Sequence, residues 1–404
     1  MANKRPAAVG LAELFAAKEM VVVCGSGGTG KTTVAAALGA QCAASMPGKV
    51  LVLTVDPARR LATALGIGTF GNDEVRVPRE TFVDAGIEPA GELWVAMLDT
   101  KAGWDELIRR HAPDAALRDA VMANSLYRNI TSRFVNSHDY IAMEKLHELH
   151  ASGKYDVIII DTPPSRNALD LLDAPSRMRE FFGGRLLRWL TVPARSRLFT
   201  IASKPFYQVA DRVLGSRFLQ DIAEFFLLFQ SMESGFVARA GEVERLLVDP
   251  RTSFVVVSTL EAAPAREARY LADELRRRQM TLGALVLNRV LPADVRRPAV
   301  AKAAKQLAEL AGDAVLLQRL EQSLGDGADI LTESPERLRP VLQEVASRLQ
   351  EVALVAAREA ERRVDLSNLA PVVVAAPTMR DDITDVESLL RLGAMLFAQS
   401  GRGS

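Results

Sequence analysis

Val21–Thr33 runs VVVCGSGGTGKTT, a glycine-rich turn set between an apolar run and a run suited to a helix. The apolar part, Val21–Val23 and then Cys24, has the length and composition of a buried strand. Between strand and helix, Gly25, Ser26, Gly27, Gly28, Thr29, Gly30, Lys31 and Thr32 fit the phosphate-loop pattern G-x-x-x-x-G-K-[ST]. The chemistry needs these residue types. Glycines let successive backbone N–H groups converge on an anion, and the new helix adds its positive end. Lys31 would reach the terminal phosphates of a nucleotide, the Thr32 hydroxyl would ligate Mg2+, and Thr33 completes the loop's binding candidates. The blander alternative is a ligand-free glycine turn. The strand before it and the helix after it weigh against that.

Bulk composition excludes several classes. The 404 residues can bury a large core, as one elaborated domain or two. Because 50 Lys+Arg balance 50 Asp+Glu, charge offers no reason to expect nucleic acid or an anionic membrane as the main ligand. Two cysteines, Cys24 and Cys42, exclude a disulfide framework and a Cys-only metal cluster within one chain. Four histidines (His111, His138, His147, His150) leave little else for a transition metal, and no zinc is expected. The opening MANKRPAAVGLAELFAAKEM does not read as a signal peptide, since Glu13 and Lys18 break its apolar part. No apolar run approaches the roughly 18 residues that span a bilayer. A cytoplasmic protein is expected.

Along the chain, residues 9–19 suggest a short lead-in helix and Val34–Ala44 an Ala-rich one. Further buried strands are expected at Lys49–Val55, 93–98, Tyr155–Ile160, Phe254–Ser258, Ala284–Asn288 and Val372–Ala375. Short apolar runs alternating with helices imply an α/β fold, a doubly wound and mostly parallel sheet covered on both faces. Ligands then sit at the carboxyl ends of the strands. The expected organisation is one domain with a discontinuous core, about 18–100, 151–175, 251–296 and 366–395. Helical insertions fill about 102–150, 176–250 and 297–365, giving an inserted helical subdomain.

Two carboxylates end apolar strands. Asp161 closes YDVIIID, where a magnesium-side aspartate belongs, although Asp is also common as a helix cap or turn residue. Asp56, in TVDPARRL, stands where it can orient an attacking water, or else simply starts an Asp-Pro turn.

The segments GSGGTGKTT, VDPARRL, DTPPSRNALDLLDAP (161–175) and LVLNRV (285–290) together resemble the ArsA-type anion-transporting ATPases, which include tail-anchored-protein-targeting members. The resemblance covers about 18–395. It implies an ATP- and Mg2+-dependent hydrolase acting as a dimer. It assigns Asp56 to water positioning, Asp161 to the magnesium side, and Thr162–Asp173 to a second switch. Asn288 matches the position that hydrogen-bonds adenine, with Arg289 beside it. Pro377 opens the segment 377–385 that resembles the loop packing on the base. Departures are informative. The family's loop carries a lysine where this chain has Ser26, a lysine that reaches the partner subunit's nucleotide. Arg59, Arg60 or Arg166 are substitutes within the chain, and a lysine-bearing paralogue in a heterodimer is another solution. The C-x-x-C zinc pair and the arsenite-binding thiols of the family have no counterparts here.

Three further features carry alternatives. Phe218, Ile222, Phe225, Phe226, Phe229, Met232 and Phe236 recur at helical spacing, as a packed stripe or as a groove for an apolar client helix. The basic and aromatic segment 185–215 suits peripheral contact with a membrane surface, or a solvated face. His147 and His150 share a helix face without a third ligand and are expected to be ordinary surface histidines.

Overall fold

The computed structural model describes residues 10–55, 59–67, 72–112, 114–124, 127, 137–163, 173, 176, 177, 180, 233–310, 313, 315 and 335–399. Eight strands form one sheet: β1 (Met20–Gly25), β2 (Lys49–Thr54), β3 (Val75–Arg76), β4 (Glu92–Met97), β5 (Val157–Asp161), β6 (Thr252–Ser258), β7 (Leu282–Val290) and β8 (Val372–Pro377). Their spatial order is β3-β4-β2-β5-β1-β6-β7-β8. Every pairing is parallel except β3 with β4. Seven strands fall where apolar runs predict them. The exception is β3, a two-residue antiparallel edge too short to leave a periodic signal.

Burial explains why the strands read as continuous apolar runs. In β1, Val21 and Val23 enter one core while Met20, Val22 and Cys24 enter the other. Helices cover both faces. On the first lie α1 (Leu11–Ala16) and α2 (Lys31–Ser45), with α3 (Arg59–Ala64) and α4 (Arg79–Asp84) toward its edge. The opposite face carries α5 (Thr100–His111), α6 (Ala115–Ala123), α7 (Ser137–Ala151), α8 (Glu233–Val248) and α9 (Ala262–Arg277). Trp104 and Ile108 of α5 and Met143 and Leu146 of α7 share a core with Ile158 and Ile160 of β5. Much of the expected insertion at 102–150 is therefore a covering layer of the sheet.

Farther along, α10 (Pro298–Leu310) packs against α11 (Pro335–Leu366), and Leu366 reaches the sheet core. The last helix, α12 (Val386–Phe397), lies against α2, and Phe397 meets Phe15 with ring centroids 5.7 Å apart. Edge strand β8 is blunted by Gln399, whose side-chain amide exchanges hydrogen bonds with Ala375 N (2.9 Å) and Ala375 O (2.7 Å). Among the described residues no helix is long and apolar enough to cross a membrane. Phe218–Met232 lie outside the described residues, as does all of 185–215, and the Phe236 side chain is not described.

Candidate nucleotide site

Strand order places the loop at the sheet's centre. β1 lies between β5 and β6, and its chain turns at Gly25 into α2 at the carboxyl edge. Gly25 has φ +150, and a Cβ there would sit 2.1 Å from Val257 O of β6. Gly30 caps α2 in the left-handed region, φ +88, and a Cβ there would meet Asn288 Nδ2 at 2.4 Å. Backbone blocks any side chain at Gly25, while at Gly30 one would strain the left-handed backbone and displace the Asn288 amide. Gly27 and Gly28 are exposed, so their backbone stands open to a ligand. Thr29 and Lys31 are buried, and Thr33 half-buried.

Lys31 Nζ donates to Ser26 O at 3.0 Å, and Thr29 Oγ1 donates to the same carbonyl at 2.9 Å. The lysine is thus folded back over the loop that a phosphate would fill. Ser26 Oγ is buried with no hydrogen-bond partner among the described residues.

Beneath the loop, the register pairs Asp161 with Val23 on one side and Thr54 on the other. Asp161 Oδ2 accepts from Thr32 Oγ1 at 2.6 Å and from Thr54 Oγ1 at 3.1 Å. A hydroxyl and a carboxylate in contact form a hard-oxygen pair of the kind Mg2+ prefers, so the residues fit that ion. Thr54 was not anticipated from sequence. The only local signal was a hydroxyl closing an apolar strand. Thr162 Oγ1 donates to Val23 O at 2.9 Å, fixing the chain as it leaves β5. Eleven positions on, Asp173 accepts a two-pronged ion pair from Arg278, at 2.5 and 3.2 Å. Residues 164–172 lie outside the described residues, as do Asp56, Pro57 and Ala58, and the side chains of Arg59 and Arg60 are not described.

On the other flank, Asn288 is buried and its Nδ2 donates to Thr29 O at 2.8 Å. Arg289 Nη1 donates to Gly28 O at 3.2 Å. Pro377 of β8 pairs with Val290, and Thr378 N donates to Val290 O at 2.9 Å, so the segment expected near a base begins beside these residues.

Both cysteines are buried next to or behind the loop. Burial pushes the Cys24 thiol up to about 12 and raises Cys42 as well, so neither presents a thiolate. No group of three or more His, Cys, Asp or Glu side chains able to hold a metal occurs among the described residues. His147 and His150 are half-buried rather than surface residues. Arg239 Nη1 lies 2.9 Å from His147 Nδ1, and Glu19 Oε2 lies 3.0 Å from His150 Nε2, because this face of α7 packs on α8 and on the entry to β1.

A family model of anion-transporting ATPases matches residues 18–313. An uncharacterised protein of Streptomyces coelicolor is 29% identical over 275 residues, covering 68% of this chain and 63% of that protein. The ATPase BagA of Mycobacterium tuberculosis is 24% identical over 392 residues, covering 94% of this chain and 93% of its own. The ATPase GET3 of Komagataella phaffii is 26% identical over 284 residues, covering 68% of this chain and 73% of its own. With the loop at the head of α2, the Thr32–Asp161 pair beneath it and a match over most of its length, this chain belongs to the anion-transporting ATPase family.

Proposed function

We propose that this chain is a Mg2+-dependent ATP hydrolase of the cytoplasm, built as one domain and working as a dimer that ATP closes. The carrying observation is the 2.6 Å contact of Thr32 with Asp161 directly beneath the glycine loop. Thr32 and Asp161 would hold Mg2+, the aspartate through a water. The ion would supply charge neutralisation on the phosphates. Lys31 would exchange Ser26 O for a phosphate oxygen, a charge-assisted bond stronger than the one it gives up. Asp56 would position the attacking water, and Asn288 and Pro377 would border the base. ATP is preferred to GTP on family resemblance alone.

The output would be movement of a helical surface. Thr162 and Asp173 bound the proposed second switch, one tied to β1 and the other to Arg278 at the end of α9. A shift between these two anchors would pass to the helices at 176–250, which would hold a hydrophobic helical client or touch a membrane surface peripherally. A second reading is favoured by Ser26, which places no cation at the second loop position. The chain would then be an ATP-binding assembly subunit with little turnover, acting in a heterodimer with a lysine-bearing paralogue.

Phosphate release and particle mass, with and without ATP and Mg2+, separate the two for wild type and Asp56→Asn. The hydrolase reading expects wild type to dimerise and release phosphate while Asp56→Asn dimerises without release. A wild-type chain that binds ATP but stays monomeric and idle overturns it in favour of the assembly subunit.

A further inference from the structure

Arg289 occupies an unusual place in the backbone. Its φ is +55, one of two positive values among the described non-glycine residues. It also marks a register shift. β7 advances three residues from Leu287 to Val290 while β8 advances two, from Ala375 to Pro377. One extra residue on β7 is a β-bulge, a device that re-aims side chains. In a regular strand Asn288 and Arg289 would point to opposite faces of the sheet. Here both reach the same loop, Asn288 to Thr29 O and Arg289 to Gly28 O. A non-glycine residue held in the left-handed region costs on the order of 1–2 kcal/mol, and such strain concentrates where a site needs it.

The charge is equally telling. Arg289 is exposed, and among the described residues its side chain meets a backbone carbonyl rather than a carboxylate. Its one side-chain hydrogen bond among them uses a single donor of a five-donor guanidinium on a neutral carbonyl. A brace alone needs no positive charge, since the neighbouring Asn288 braces the loop with an amide.

We propose that Arg289 is a phosphate-binding arginine, aimed by the β7 bulge at the polyphosphate of a nucleotide seated in the loop. This inference rests on the ATP-binding reading. The arginine would give its free donors to the anion and add a cation beside Lys31, with affinity that falls as salt rises.

The test is binding of ATP, ADP and adenosine to the full chain, by titration calorimetry, for wild type, Arg289→Gln and Arg289→Lys at low and high salt. Because the side chain is exposed, both variants should keep the wild-type melting temperature. Arg289→Gln, which can still reach Gly28 O, should bind ATP about tenfold more weakly or worse, ADP less affected and adenosine unchanged. Arg289→Lys should retain most of the ATP affinity. If Arg289→Gln binds ATP as wild type does, Arg289 only braces the loop and the inference falls. Equal weakening of all three ligands places Arg289 on the nucleoside, which overturns it as well. Wild type that fails to bind ATP brings down the ATP-binding reading with it.

Discussion

At the residue scale, the loop's glycines are not interchangeable, and the geometry ranks them. A methyl at Gly25 would lie 2.1 Å from a backbone oxygen of β6, which cannot rotate away. Gly28 also has positive φ, +77, but a methyl there meets nothing within 4 Å. Gly25→Ala should therefore cost about 2–4 kcal/mol, from overpacking added to strain. Gly28→Ala should cost about 1 kcal/mol from the left-handed backbone alone. Urea unfolding midpoints of the two variants check this, and equal midpoints would contradict it. The pattern G-x-x-x-x-G-K-[ST] announced the loop but did not rank its glycines, because the rank depends on Val257 and Asn288, more than two hundred residues away.

At the scale of elements, α7 and α8 are joined by a charged cluster that links stability to pH. His147 faces Arg239 and Glu242 from α8, with Glu144 and His150 beside it on α7. Burial and the Arg239 guanidinium lower the His147 pKa below its usual value, outweighing the nearby carboxylates. The unfolded chain thus binds a proton that the folded chain resists. The stability this histidine contributes is complete above the unfolded value of about 6.5 and is lost as pH falls through the lower folded value. The melting temperature should drop between about pH 7 and pH 5, and the drop should shrink in His147→Gln. A variant with the same slope as wild type would remove His147 from the explanation. The H-x-x-H spacing correctly placed both rings on one helix face. It gave no sign that α8 would cover that face, since the partner Arg239 arrives from another helix.

At the scale of the molecule, one sheet collects strands from residue 20 to residue 377, so whatever binds its carboxyl edge tightens elements drawn from nearly the whole chain. A ligand that binds only the folded state stabilises it by RT ln(1 + [L]/Kd), about 2.7 kcal/mol at a hundredfold excess over Kd. ATP with Mg2+ should therefore raise the melting temperature of the full chain, while Lys31→Ala should abolish most of the rise. An unchanged wild-type melting temperature would count against nucleotide binding.

What the chain's local order determined by itself is the class of fold and the position of the loop. Seven apolar runs, the glycine spacing and the carboxylate closing YDVIII are short-range signals, and the strands follow them. Tertiary structure alone decided which side chains meet. Asp161 lies between Thr54 and the loop because β5 pairs between β2 and β1, a register set by burial on two faces. Arg289 turns toward Gly28 because a bulge against β8 rotates the backbone there. Both outcomes depend on pairing between segments distant in sequence: glycine spacing signals the loop's positive φ values, but no local pattern signals a register or the left-handed backbone of a non-glycine residue such as Arg289.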